Sequence, residues 1–151
     1  MEVALNEARD GMKSSNGGPF GAVVTKDGEI IASSHNQVLS KGDPTMHAEI
    51  AAIREACIKL GRFDLCDCEI YSTCKPCPMC LGAIIWAKIP KLYYGALESD
   101  AAAVGFDDEY IYEFIKKGFN DKSRLSAEEI DTKECQVLFA EWLAKNDRKM
   151  Y

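Results

Sequence analysis

His47-Ala48-Glu49 and Pro76-Cys77-Pro78-Met79-Cys80 contain the residues of this chain best suited to chemistry. Cys77 and Cys80 stand three apart, which at a helix start puts both thiols on one face. Thiolate and imidazole are ligands suited to zinc, and three protein ligands leave the fourth tetrahedral position for water. A bound zinc lowers the pKa of its water from about 15.7 toward about 7, and a neighbouring carboxylate such as Glu49 can then accept that proton. In mid-helix, His47 and Glu49 would point roughly 200° apart at about 3.6 residues per turn. They converge only at a helix end. Asp43-Pro44-Thr45 reads as a cap and first turn that supplies such an end, with a helix from about 45 to 60.

The surrounding pattern supplies elements to hold these residues. Residues 2 to 14 form an amphipathic helix with Val3, Leu5, Ala8 and Met12 as its apolar positions, ended by Asn16-Gly17-Gly18-Pro19. Two strand-like runs, Phe20 to Thr25 and Ile30 to Ser33, flank Asp27-Gly28, a strong hairpin signal. Cys68 to Thr73 reads as a strand that delivers the chain to Lys75-Pro76-Cys77. A helix from Met79 to Lys88 and a strand from Leu92 to Gly95 follow. Strands alternating with helices imply an α/β sheet with at least one parallel pairing, and such sheets place ligands at strand-to-helix turns. Beyond residue 96, Ala101 to Val104 and residues 109 to 117 are helix-prone, and a last helix at 132–146 carries Cys135, Leu138, Phe139, Trp142 and Leu143 on one stripe.

A chain of 151 residues, 47% hydrophobic, fits one compact domain spanning 1–151, with no linker, repeat or low-complexity run. The net charge of −6 disfavours a nucleic-acid partner, because an acidic surface repels phosphate backbones. No signal peptide or transmembrane span is evident, and seven cysteines is an odd number. A reducing, cytoplasmic compartment follows, where clustered cysteines bind metal more often than they pair.

H-x-E together with P-C-x-x-C is the signature of zinc deaminases acting on nucleobases. The chain resembles the cytidine-deaminase-like superfamily, and within it the small bacterial guanine deaminases and plant guanosine deaminases. Five stretches carry the resemblance: Gly18 to Val23, His35-Asn36, Asp43 to Glu49, Pro76 to Ile84, and Gly105-Phe106-Asp107-Asp108. The last of these, with the terminal Tyr151, points to the guanine and guanosine branch. The resemblance implies a three-layer α/β/α fold around a five-stranded mixed sheet and one zinc per subunit. It also implies a homodimer in which an exchanged C-terminal segment brings Tyr151 over the partner's active site. His47, Cys77 and Cys80 then hold zinc, and Glu49 shuttles protons. Asn36 hydrogen-bonds the purine, Phe20 or Trp86 packs on its ring, and Asp108 is a second acidic group used on guanine. Lys75 departs from the glutamate that relatives usually carry before Pro-Cys.

Each of these residues also has a plain structural reading. Asn36 serves turns and caps, Phe20 and Trp86 serve cores, Asp107-Asp108 makes a solvated turn, and Tyr151 is a chain end. Cys74, Cys77, Cys80 and His47 together could close a structural zinc knot. The expected activity is hydrolysis of guanine to xanthine and ammonia. The competing readings are a guanosine deaminase, a tRNA adenosine or cytosine deaminase, and a non-catalytic zinc protein.

Overall fold

The structure, a computed structural model, describes residues 1–150, so Tyr151 and the role expected of it lie outside the described residues. It divides into two compact units, Met1–Tyr110 and Ile111–Tyr151. In the first, the order is α1 (Glu2–Lys13), β1 (Gly21–Lys26), β2 (Glu29–His35), α2 (Val38–Lys41), α3 (Ala48–Leu60), β3 (Cys68–Cys74), α4 (Pro78–Trp86), β4 (Lys91–Ala96) and α5 (Glu98–Ala103). Helix α6 (Glu109–Lys116) spans the boundary, and α7 (Thr132–Ala144) belongs to the second unit. No described helix is long and apolar enough to cross a membrane.

The sheet has four strands in the order β2-β1-β3-β4, antiparallel except for the parallel pair β3–β4. The fifth strand expected from the resemblance is not found among the described residues. Ala-rich and amphipathic segments follow β4 and form α5 and α6 instead. β4 is consequently an edge strand, with Tyr93 and Tyr94 exposed. The β1–β2 hairpin closes through Asp27 and Gly28, both at positive φ (51° and 82°), as a two-residue turn of the primed type requires.

Side chains alternate across the sheet, so each face can support its own helical layer. Ala22, Val24, Ala32, Cys68 and Ile70 join Ala48, Ala52, Ile53 and Ala56 of α3 and Ile84 of α4 in the main core. α1 packs on the other face. There the sequence expectation holds only at Ala8: Ala4, Ala8 and Gly11 are the buried residues of α1, whereas Val3, Leu5 and Met12 are exposed. The reason is close approach. A Cβ on Gly21 would collide with the Ala4 carbonyl oxygen, and one on Gly11 would lie 2.7 Å from the His35 ring. Helix and sheet meet at a distance that admits only small residues.

On that face a polar clamp ties the layers together. Glu7 of α1 accepts hydrogen bonds from Ser33 Oγ (2.7 Å) and from His35 Nδ1 (3.0 Å). The other ring nitrogen of His35 accepts from Asn16 Nδ2 at 2.9 Å. The Asn16 carbonyl in turn receives the Leu39 and Ser40 amides. The loop after α1 is thereby fixed against the end of β2, where Asn36 follows.

In the second unit, α7 forms where the periodicity places it. Leu138 (63% exposed), Phe139 (71%) and Leu143 (66%) of its stripe are nevertheless open to solvent.

Candidate active site

The helix that carries Glu49 begins later than the sequence suggests. Asp43 Oδ1 accepts from the Thr45 amide (2.8 Å) and hydroxyl (2.7 Å), closing a turn rather than a first helical turn. His47 is the N-cap of α3, in extended conformation (φ −68°, ψ 159°), and Glu49 is the second helical residue. The convergence that mid-helix geometry forbids is achieved at this end. α4 repeats the arrangement, with Cys77 as an extended N-cap (φ −63°, ψ 167°), a proline in its first turn and Cys80 one turn in. N-cap and third-residue side chains face one another at a helix start, which brings the two thiols together.

The two helix starts meet. His47 Nδ1 lies 3.6 Å from Sγ of Cys77 and 3.6 Å from Sγ of Cys80. Tetrahedral zinc with bonds of about 2.0–2.1 Å to nitrogen and about 2.3 Å to sulfur requires N···S edges of about 3.5 Å, so the donor set fits the metal. Among the described residues this is the cluster of three or more potential ligands whose donor atoms converge. Two helix N-termini add partial positive charge, which favours thiolates and an anionic fourth ligand.

The electrostatics agree with that use. Without a metal, the proton kept by Cys80 lowers Cys77, with help from His47, to about 4. Cys80 is pushed up in return, by holding that proton and then by burial. The hydrogen bond with Cys77 also raises His47. A metal would take the shared proton's place and leave both sulfurs as thiolates.

Glu49 is 5% exposed. Burial raises its pKa, opposed by hydrogen bonds from Ser72 and Cys80, so it binds a proton more readily than a surface carboxylate. Its Oε1 accepts from Ser72 Oγ at 2.8 Å, and its Oε2 faces Cys80 Sγ at 3.4 Å. Cys74 is turned away, its thiol donating to the Leu97 carbonyl at 3.4 Å. The closed four-ligand knot therefore does not form.

The remaining expected residues separate into two groups. Asn36 is buried, and its Oδ1 accepts from the Val38 amide at 3.2 Å, which fixes which way the carboxamide points. Gly17 packs so tightly on it that any Cβ there would collide with the carboxamide. The Asn36 amide donates to the Phe20 carbonyl at 3.0 Å, and the Phe20 ring meets Phe106 edge-on at 5.1 Å and 87°. Asp107 and Asp108 divide the two readings of their pair. The Asp107 carboxylate accepts from the Glu109 amide at the start of α6, whereas Asp108 is raised by burial and next by the charge of Cys77. Asp108 thus lies near enough to Cys77 to feel its charge. Trp86 is not brought to the site: it ends α4, opposite the end that carries Cys77 and Cys80, and is 71% exposed. Lys75 forms an ion pair with Glu98 at 2.8 Å.

Two residues of the site escaped the sequence reading. Ser72 is a polar residue on the β3 face that also presents Cys68 and Ile70, and that mismatch was its signal. Phe106 was visible only as part of the Gly105 to Asp108 stretch.

Residues 1–96 match the model of the cytidine and deoxycytidylate deaminase zinc-binding region. The chain belongs to this deaminase family. The guanine deaminase of Bacillus subtilis is 49% identical over 82% of this chain and 79% of its own length. An X-ray structure of guanine deaminase from the same organism superposes with a TM-score of 0.93 at 44% identity, covering 99% of this chain and 95% of that one. A tRNA-specific adenosine deaminase from Aquifex aeolicus is 41% identical over 69% of this chain and 68% of its own. The fold is the three-layer α/β fold of this family, and zinc is the metal that the His47, Cys77 and Cys80 donor set suits.

Proposed function

We propose that this protein hydrolyses guanine to xanthine and ammonia, with His47, Cys77 and Cys80 holding one zinc ion and Glu49 carrying protons. The observation that carries the reading is a buried carboxylate beside a three-ligand zinc set, in a chain similar along nearly its whole length to a guanine deaminase. Bound at these residues, zinc supplies a water acidic enough to act as a nucleophile near neutral pH. Glu49 accepts the proton of that water as its oxygen bonds to the ring carbon bearing the exocyclic amine. It delivers that proton to the adjacent ring nitrogen and passes the water's second proton to the exocyclic amine as the C–N bond breaks, so that water and guanine become xanthine and ammonia. Its raised pKa suits a group that must both take and give a proton.

Asn36 fixes the purine by its carboxamide. With Oδ1 committed to the Val38 amide, its NH2 is the part offered to an acceptor on the base. The Phe20 ring, braced by Phe106, forms an apolar wall for the purine, and Asp108 accepts from the guanine N–H groups or relays the second proton to the leaving amine. Trp86 is better placed for a protein contact. Together with Leu81 and Ile85 it leaves an apolar face of α4 exposed.

That face and the open stripe of α7 support a homodimer in which the C-terminal segment is exchanged and Tyr151 covers the partner's site. In this reading residues 1–151 work as one deaminase domain. Seven unpaired cysteines suit a reducing cytoplasm.

Ammonia release from guanine, guanosine, adenosine and cytosine, offered side by side to zinc-loaded protein, tests the reading. Turnover of guanine alone supports it, and turnover of guanosine alone moves the substrate to the nucleoside. The likeness to a tRNA-specific adenosine deaminase makes tRNA the second reading. The net charge of −6 opposes it, and tight, salt-sensitive tRNA binding would revive it.

A further inference from the structure

The two oxygens of the Glu49 carboxylate have different surroundings. Oε1 accepts from the hydroxyl of Ser72 (2.8 Å), and Oε2 points to the thiol of Cys80 (3.4 Å). Among the described residues, these are the side-chain donors to the carboxylate. We propose that Ser72 is a positioning residue for deamination: its hydroxyl anchors Oε1 and so leaves Oε2 aimed at the metal side as the oxygen that carries the proton. The inference rests on the reading of Glu49 as the proton carrier.

The two anchors differ once zinc is held. As a ligand, Cys80 is a thiolate without a proton to donate, so its bond to Oε2 belongs to the metal-free chain. The bond from Ser72 is untouched by metal, because Ser72 ligates nothing. It therefore persists through the working state and becomes the side-chain contact that sets the carboxylate's rotation.

Ser72 is built to be an accurate anchor. It is 1% exposed, so its hydroxyl proton has no bulk water to turn to. Its backbone is locked on both sides, pairing with Ala22 of β1 and Tyr94 of β4. On the same strand face lie Cys68 and Ile70, both fully buried, and a serine among them is costly unless bonded. Glu49, by contrast, projects from the first turn of a helix on a long side chain with several rotatable bonds. A rigid strand thus holds one oxygen of a flexible acid, which is how a proton-transfer distance is kept short.

Ser72→Ala and Ser72→Thr in the zinc-loaded protein test the assignment. The expected result for Ser72→Ala is a fall in kcat for guanine of about 10- to 100-fold, with KM within about twofold. Zinc content and affinity for xanthine stay near those of the unaltered protein. Ser72→Thr, which keeps the hydroxyl, regains most of the lost kcat. A crystal structure of zinc-loaded Ser72→Ala shows the Glu49 carboxylate rotated away from the metal side.

An unchanged kcat in Ser72→Ala overturns the proposal. So does a loss of zinc in step with activity, which would make Ser72 a scaffold for the ligands, and so does a Ser72→Thr protein no better than Ser72→Ala. Should the unaltered zinc-loaded protein release no ammonia from guanine, the proposed function fails by itself. The crystal structure then decides this point: a carboxylate that stays in place without the serine hydroxyl overturns it, and a rotated one upholds it.

Discussion

Helix α3 and helix α7 are each thirteen residues long, and the same periodicity argument finds both. Their apolar residues meet opposite fates. Ala51, Ala52, Ile53 and Ala56 of α3 are buried, whereas Leu138, Phe139 and Leu143 of α7 are exposed. α3 packs into the core of the unit that contains it, and the metal cradle forms at its start as a consequence. α7 carries a stripe that its own unit leaves open. An apolar stripe therefore fixes that a helix exists and which side wants cover, but not what covers it. In this chain the candidate metal ligands and Glu49 lie within residues 1–110, while α4 and α7 each leave an apolar face open.

The largest effect that sharpens this contrast is at the cradle. Glu49→Gln keeps size and burial but removes the proposed proton carrier. We expect guanine turnover to fall by about 10²- to 10⁴-fold, with zinc retained, as read by ammonia release and metal analysis on the same sample. Near-full turnover in that variant would remove Glu49 from the mechanism.

The α7 side is broken by charge. Phe139→Asp combined with Leu143→Asp places two carboxylates on the open stripe. For the proposed homodimer, light scattering should give the mass of two chains for the unaltered protein and of one for this variant, with zinc content unchanged. Each apolar side chain removed from an interface costs about 1.5–3 kcal/mol of association, enough to dissociate a dimer at micromolar concentration. An unchanged mass would place any dimer contact elsewhere, with the exposed face of α4 the next candidate.

How far the sequence could be read follows the same division. Elements set by local rules were legible: the Asp27-Gly28 hairpin, the Gly61 stop of α3 (φ 64°), and the paired cysteines at the start of α4. The ligand trio and Glu49 were legible because metal chemistry restricts residue type and spacing together. Three things were not. The buried side of α1 is legible only at Ala8, because hydrophobicity also favours Val3, Leu5 and Met12, while the distance between helix and sheet, set by Gly21 and Gly11, selects Ala4 and Ala8. The start of α3 was placed too early because Asp43 caps a turn, not the helix. Ser72 was passed over because its meaning depends on a partner 23 residues away.

The α1 correction yields the next effect in size. Gly21→Ala puts a methyl group against the Ala4 carbonyl, where backbone meets backbone and neither can swing aside. Overpacking of this kind costs about 1–3 kcal/mol, measurable by urea denaturation. Leu5→Ser, on the exposed side of the same helix, should change stability by no more than about 0.5 kcal/mol. The reverse order would restore the face that hydropathy alone suggests.

The smallest effect discriminates an open metal site from a closed one. Cys74 and Cys77 are three residues apart, yet their thiols are set for different work. Cys80 and His47 lower Cys77 toward the thiolate that a metal requires. Burial pushes Cys74 up instead, and its proton is engaged by the Leu97 carbonyl at 3.4 Å. A ligand role would need that bond broken and the thiol ionised at the end of a strand whose next residue, Lys75, is held by its amide to Ala96 at 2.9 Å. Cys74→Ser keeps a donor for the Leu97 carbonyl, and should therefore leave one zinc per chain and alter turnover of guanine by no more than about twofold. Loss of zinc from this variant would mean that Cys74 completes the shell, that no position is left for water, and that Glu49 has no proton to receive.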